Sequence, residues 1–193
     1  MGYTTWFDGT LSFNKPVTAQ LREYINRFSY TRRMPRDNEK IKAIYPNWRE
    51  LCFCGDLGNK GEYFAPISTM CGQEDDKTIL DYNGYKESVH PGLWCQWIIN
   101  DNDELEWDGG EKFYNYVKWL EYLIKHFFKP LGYVLNGDIT FEGEDSEDLG
   151  TIHVVNNVVN VEYGEKVFSM SDLTTDVLIE ELNSRGYVVT KAV

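Results

Sequence analysis

The spacing of apolar side chains divides the chain into segments of different period. Over residues 3–13, Trp6, Leu11 and Phe13 partly alternate with polar positions, the mark of a strand, and Asp8-Gly9 inside it reads as a turn or bulge. After Pro16 the interval lengthens: Leu21, Tyr24, Ile25 and Phe28 recur every three or four residues, with Arg22, Glu23, Asn26 and Arg27 between them. That pattern predicts an amphipathic helix with Thr18 as its cap. A short helix is expected over residues 37–44, bounded by Pro35 and Pro46. Apolar or aromatic runs at 93–99 and 104–107 flank Asn100-Asp101-Asn102-Asp103 and predict a hairpin. Asp108-Gly109-Gly110-Glu111 then opens the longest helix, in which Phe113, Val117, Leu120, Ile124 and Phe127 form one stripe that Pro130 and Gly132 end. Residues 133–141 and 151–163 read as further strands or hairpins, with Asn136-Gly137 and Asn156-Asn157 as turn signals. A last amphipathic helix at 174–185 carries Val177, Leu178 and Leu182 and meets Gly186 where a left-handed cap belongs.

These elements predict an α+β fold in one domain: an antiparallel sheet, a long helix packed across it, and a C-terminal helix. Residues 1–168 form that domain, and residues 169–193 a helical tail, docked on it or detachable. The expected core is Trp6, Leu21, Ile25, Trp94, Trp97, Phe113, Val117, Leu120, Ile124 and Val154. Residues 51–85, with glycine at 55, 58, 61, 72 and 84, predict loops and brief strands; so long an irregular stretch is more often functional or mobile than an ordinary connection.

Composition narrows the classes. With 193 residues and 42% hydrophobic side chains the chain can bury one sizeable core. Its 19 Lys and Arg against 31 Asp and Glu leave a net charge of −12, which argues against a long, sequence-independent grip on nucleic-acid phosphates. Only 6 Pro, 16 Gly and 4 Cys argue against a collagen, a Pro/Gly-rich disordered chain and a disulfide miniprotein. No stretch approaches the roughly 20 apolar residues of a membrane span, and no basic region leads into an apolar one at the start. Met1-Gly2 lacks the Ser or Thr of a myristoylation signal, since Trp6 stands there. A cytoplasmic protein without membrane contact, its cysteines reduced, is the expectation.

Three motifs carry a resemblance: Thr31-Arg32-Arg33-Met34, Pro91-Gly92-Leu93-Trp94-Cys95-Gln96-Trp97, and LEWDGGEKFYNYVKWLEYL over residues 105–123. On these the chain resembles a family of small acidic proteins encoded by phages and bacterial genomes, over roughly residues 1–165. The resemblance implies a setting, host cytoplasm if the protein is phage-encoded, and no mechanism. Around Ala65-Pro66 the chain departs from the Gly-rich pattern of that family, and the tail from Met170 looks like an addition.

Charge is unevenly distributed. Through residue 49 there are nine Lys and Arg against four Asp and Glu, a balance of +5, and the rest of the chain carries −17. Arg32, Arg33 and Arg36, with Lys40 and Lys42 beyond, could fork onto a phosphate or carboxylate, or could neutralise the protein's own acidic hairpins. Asp108 and Glu111 have capping-box spacing. Cys52, Cys54, Cys71 and Cys95, even with His90, are poorly spaced for zinc, so no metal is expected. Cys95 could pair with a distant His as a nucleophile, but Trp94 and Trp97 beside it point to a buried strand. His126 and His153 have no spacing that suggests metal or triad.

The remaining acids fall in two groups: Asp101, Asp103, Glu104, Glu106 and Asp108, then Asp138, Glu142, Glu144, Asp145, Glu147 and Asp148. Neither follows the ligand order of a calcium loop. Held on rigid strands, such carboxylates can imitate the phosphates of a nucleic acid; otherwise they serve solubility alone. The functional expectation is a non-catalytic acidic protein-binding module without cofactor, an inhibitor of a basic nucleic-acid-handling or defence protein of a phage host. Asp101, Asp103, Glu104, Glu106, Glu142, Glu144, Asp145, Glu147 and Asp148 are its partner-binding residues. The alternatives are an enzyme or sensor that holds a small phosphorylated ligand through Arg32, Arg33 and Arg36, and a virion structural component.

Overall fold

A computed structural model describes residues 2–66, 76–82, 90–145, 147–164 and 175–187. Among these residues six strands, β1 Thr5–Phe13, β2 Trp97–Ile99, β3 Glu104–Trp107, β4 Leu135–Gly143, β5 Leu149–Val155 and β6 Val158–Tyr163, form one sheet in the order β2-β3-β1-β4-β5-β6. Every pairing is antiparallel. Among the described residues four α-helices accompany it: α1 Ala19–Tyr30, α2 Asn38–Ile44, α3 Tyr116–Leu123 and α4 Thr175–Ser184. The α+β class expected from the sequence is therefore present. The boundary placed at residue 168, the final residues 188–193 and Cys71 lie outside the described residues.

Sheet and helices share one apolar cluster. Leu11, Leu105, Leu135, Ile139 and Ile152 from the strands meet Ile25 and Phe28 of α1 and Trp119, Leu120 and Leu123 of α3. A smaller cluster, Ile41, Leu51, Cys52, Leu57 and Phe64, sits beside α2. Thr18 caps α1 by accepting the Leu21 N–H at 3.3 Å, as its position before the periodic run predicts. Asp37 does the same for α2, accepting from Glu39 and Lys40.

Several local expectations are overturned. β1 runs without a bulge, from Thr5 opposite Gly143 to Phe13 opposite Leu135. An unbroken strand keeps strict alternation, so Trp6 has the opposite parity to Leu11 and lies outside the core, 51% exposed. Asn136-Gly137 is not a turn but part of β4; a Cβ at Gly137 would stand 2.6 Å from the Thr10 carbonyl oxygen, so glycine there permits close strand approach. The long helix begins at Tyr116 rather than at Asp108: Asp108 instead accepts the Gly110 N–H at 2.8 Å in a local turn, and the capping box does not form. Trp94 and Val117 are only half-buried, whereas Trp119 is completely enclosed.

Beyond Leu123, α3 widens into a π turn over Ile124–Phe128 and tightens into a 3-10 turn over Lys129–Leu131. The wider turn shifts the helical register so that Phe127 and Phe128 are both buried, and Gly132 closes the segment at φ 72°. Asn156 and Asn157 turn between β5 and β6 with φ of 52° and 68°, the left-handed pair a two-residue hairpin requires. At the end of α4, the Gly186 and Tyr187 N–H groups bond to the Asn183 and Leu182 carbonyls, a Schellman cap.

Candidate functional site

Alternation assigns each strand residue to a face. Leu11, Ile139, Phe141, Ile152 and Val154 point into the core, so their neighbours point the other way and remain in contact with water. On that outer face stand Asp8 on β1, Glu104 and Glu106 on β3, Asp138 and Glu142 on β4 and Glu162 on β6. None of the six strands carries a Lys or Arg.

Register fixes the spacing. Glu104 lies opposite Ser12 and Glu142 opposite Trp6, six residues apart along β1, or about 20 Å at the rise of a strand. Asp8, opposite Thr140, and Asp138, opposite Thr10, fill the interval between those ends. A depression of about 580 Å³ opens around Trp6, lined by Asp8, Thr140, Glu142, Thr151, His153 and Glu162 among others. His153 places Nδ1 2.7 Å from Asp138 and Nε2 3.4 Å from Glu162. The hydrogen bond to Asp138 and then the charges of both acids raise its pKa above the ordinary imidazole value, against some desolvation.

The acids chosen from sequence divide accordingly. Glu104, Glu106 and Glu142 belong to the outer face, and Glu106 accepts from the Asn100 amide at 2.8 Å. Asp101 and Asp103 turn towards α1, where Arg22 approaches Asp101 at 3.9 Å and pairs closely with Asp103. The Arg22 bond, with help from the Val17 N–H, holds the Asp103 carboxyl below the usual range although partial burial opposes it. At the β4–β5 turn, Glu144 accepts the Thr4 N–H and Asp148 accepts the Tyr3 hydroxyl, both at 2.8 Å, while Asp145 and Glu147 are exposed. Six of the nine acids chosen from sequence thus stand at the ends of the face or off it, and Asp8, Asp138 and Glu162 were not among the nine. The signal for Asp8 was its parity opposite to Leu11 and Phe13.

The arginines of the basic cluster are largely enclosed by the protein's own contacts. Arg33 is 2% exposed, its guanidinium 4.2 Å from the Phe28 ring centre, its Nε donating to the Thr31 carbonyl and its Nη2 buried without a hydrogen-bond partner. Burial lowers its pKa to about 10, so it stays charged at neutral pH. Arg36, equally buried, pairs with Asp76 and donates to Thr78 at 2.7 Å. Arg32 is half-buried. Two of the three candidate phosphate ligands are thus held inside the protein's own contacts.

The three motifs of the sequence meet in space. The Arg33 N–H donates to the Leu93 carbonyl at 2.7 Å, the Asn115 amide to the Pro91 carbonyl at 2.9 Å, and the Trp97 indole to the Tyr116 carbonyl at 2.9 Å. The Cys95 thiol of the second motif and the His90 imidazole just before it are poor reagents there. Burial pushes the Cys95 thiol up to about 12 and the His90 imidazole down to about 3, and the Cys52 thiol in the smaller cluster rises to about 11. Tyr122 donates to the buried Glu62 at 2.8 Å, and Tyr63 and His126 lie 3.0 Å apart. These contacts tie the loop at 57–64 to α3 and the turn after it.

The chain matches no protein-family model, no curated protein and no solved structure. The functional reading therefore rests on the geometry alone.

Proposed function

We propose that the protein is a non-catalytic binding module whose outer sheet face engages a basic surface on a partner protein. The observation that carries this reading is the absence of Lys and Arg from all six strands, which leaves Asp8, Glu104, Glu106, Asp138, Glu142 and Glu162 together on one rigid face. Glu104 and Glu106, on alternate residues of β3, lie about 7 Å apart, and the sheet holds the backbone of all six acids in place before binding. Such a face attracts cations over a Debye length, about 10 Å at 0.1 M salt, and complements the surfaces proteins use to hold nucleic-acid phosphates. Trp6 adds an exposed aromatic to the lining of the depression, where an arginine side chain can lie on the ring near Asp8 and Glu142. An inhibitor of a nucleic-acid-handling protein is one function of this kind.

The test is calorimetric titration with a synthetic arginine-rich peptide at low and high salt, repeated with the variant Asp8→Asn/Asp138→Asn/Glu142→Gln. Expected are affinity that falls as salt rises and a loss of about tenfold or more in the variant, since three charges of the face are removed. Binding indifferent to both salt and the triple substitution would overturn the reading.

A further inference from the structure

The two edges of the sheet are finished differently. At the β2 edge the Asn26 side chain of α1 closes the backbone: it accepts the Ile99 N–H at 2.8 Å and donates to the Ile99 carbonyl at 3.0 Å, while Ser29 donates to the Trp97 carbonyl. At the opposite edge β6 pairs with β5 alone. The Gly164 N–H donates to the Leu149 carbonyl, so by alternation Val158, Asn160 and Glu162 also turn their backbone groups towards β5. Val159, Val161 and Tyr163 turn theirs outwards, where no group of the described residues bonds to them.

Nothing in β6 guards against further pairing. Edge strands are commonly protected by Pro, Lys or a bulge. β6 reads VVNVEY, runs unbroken opposite β5, and leaves its side chains half-buried or exposed, Tyr163 at 69%. The strand is also complementary to itself. About a two-fold axis through Val161 and perpendicular to the sheet, Val161 lies opposite its own copy and Val159 opposite Tyr163 of the other chain, so every outward N–H and C=O of these residues finds a partner. On the core side, where Val159 and Val161 already pack, this register sets a β-branched residue against an aromatic ring on each side of the axis. On the outer face Asn160 lies opposite Glu162 in the closer, non-hydrogen-bonded kind of pair, where an amide can donate to a carboxylate. Moving the axis by one residue sets Glu162 against its own copy, or leaves Tyr163 opposite Asn157 in the turn.

We propose that a second copy of the chain adds to this edge, β6 against β6, so that two sheets join into one across a two-fold axis. The contact is a single strand pair, smaller than the roughly 1,600 Å² of a standard interface, so the dimer is weak and depends on concentration. Each chain carries a net charge of −12, so repulsion opposes association and added salt tightens the dimer, the reverse of its effect on capture of a basic partner. The pairing does not depend on what the acidic face binds; it only makes the two outer faces continuous.

Sedimentation at rising protein concentration, with amide hydrogen exchange alongside, tests the pairing. Expected is a monomer–dimer equilibrium in which the Val159, Val161 and Tyr163 amides gain protection as the dimer fills. Asn160 is exposed, so its substitution leaves the fold in place. Asn160→Glu sets like charges opposite Glu162 at both symmetric positions and should weaken the dimer about tenfold; Asn160→Lys should tighten it by a similar factor. Ser12→Lys, the same charge change on β1, should alter it far less. A monomer at every concentration up to about millimolar, or a dimer indifferent to the sign of the charge at residue 160, would overturn the proposal. So would protection of those amides at every concentration, since another part of the same chain would then cover the edge.

Discussion

His153 is bound by two carboxylates at once only when both ring nitrogens carry protons, because Asp138 faces Nδ1 at 2.7 Å and Glu162 faces Nε2 at 3.4 Å. Its pKa is raised in the folded protein. A raised value means that its stabilising contribution is complete below the ordinary imidazole pKa, roughly 6.5, and is lost as pH rises through the folded value. The same proton cancels part of the outer face, so affinity for a basic peptide should increase as pH rises through the His153 titration. NMR titration of the imidazole checks this: the pKa should exceed the ordinary value and fall back towards it in Asp138→Asn. An identical pKa in both proteins would refute the pairing. None of this was legible from His153 alone, because its partner lies fifteen residues away and only the β4–β5 register makes them neighbours. Arg33 and Arg36 are a different case. Their cluster was visible in sequence, but whether a cation faces solvent or lies on a Phe ring depends on what packs around it.

At the scale of elements, the central pair β1–β4 depends on close backbone approach. Gly9 has φ 112°, and a Cβ there would stand 2.5 Å from the Asp138 carbonyl oxygen. Gly9→Ala should therefore cost about 2–3 kcal/mol through strain and displacement of the neighbouring strand, measurable as a lower urea midpoint. A midpoint within error of the unsubstituted protein would show that the pairing tolerates a side chain. This pair also explains how the sequence misleads. Asp8-Gly9 and Asn136-Gly137 carry turn chemistry, yet both glycines sit in strands where a side chain would meet backbone. Reading the first as a bulge moved Trp6 to the core, since one extra residue reverses the parity of everything before it. Segments with a single unambiguous period fared better: α1, α2 and the hairpin of β2 and β3 occupy their expected places. α3 lost its first two turns because Asp108 and Gly110 closed a local turn, satisfying donors that a helix start would otherwise have used.

On the scale of the whole molecule, the acidic face should be held at a cost to stability. Asp8 lies opposite Thr140, so both diagonal neighbours across the strand pair, Asp138 and Glu142, carry its own sign. Like charges in such positions repel, and the described strands place no Lys or Arg among them. If the face exists only for solubility, nothing requires the charges to be concentrated on one side of a sheet, where repulsion is greatest. If it binds a basic partner, the concentration is the function, and stability is given up for it. The two accounts diverge for Asp8→Asn. We expect the substitution to raise Tm by about 1–2 °C, as relief of weak like-charge contacts does in a chain of this size, and to weaken binding of an arginine-rich peptide in the same experiment. Added salt should reproduce both effects on the unsubstituted protein and have less effect on the variant, because screening and charge removal act on the same repulsion. A rise in Tm with unchanged peptide affinity would place Asp8 outside the interface. A fall in Tm would mean that its charge is compensated on the face, and the argument from uncompensated carboxylates would fail with it.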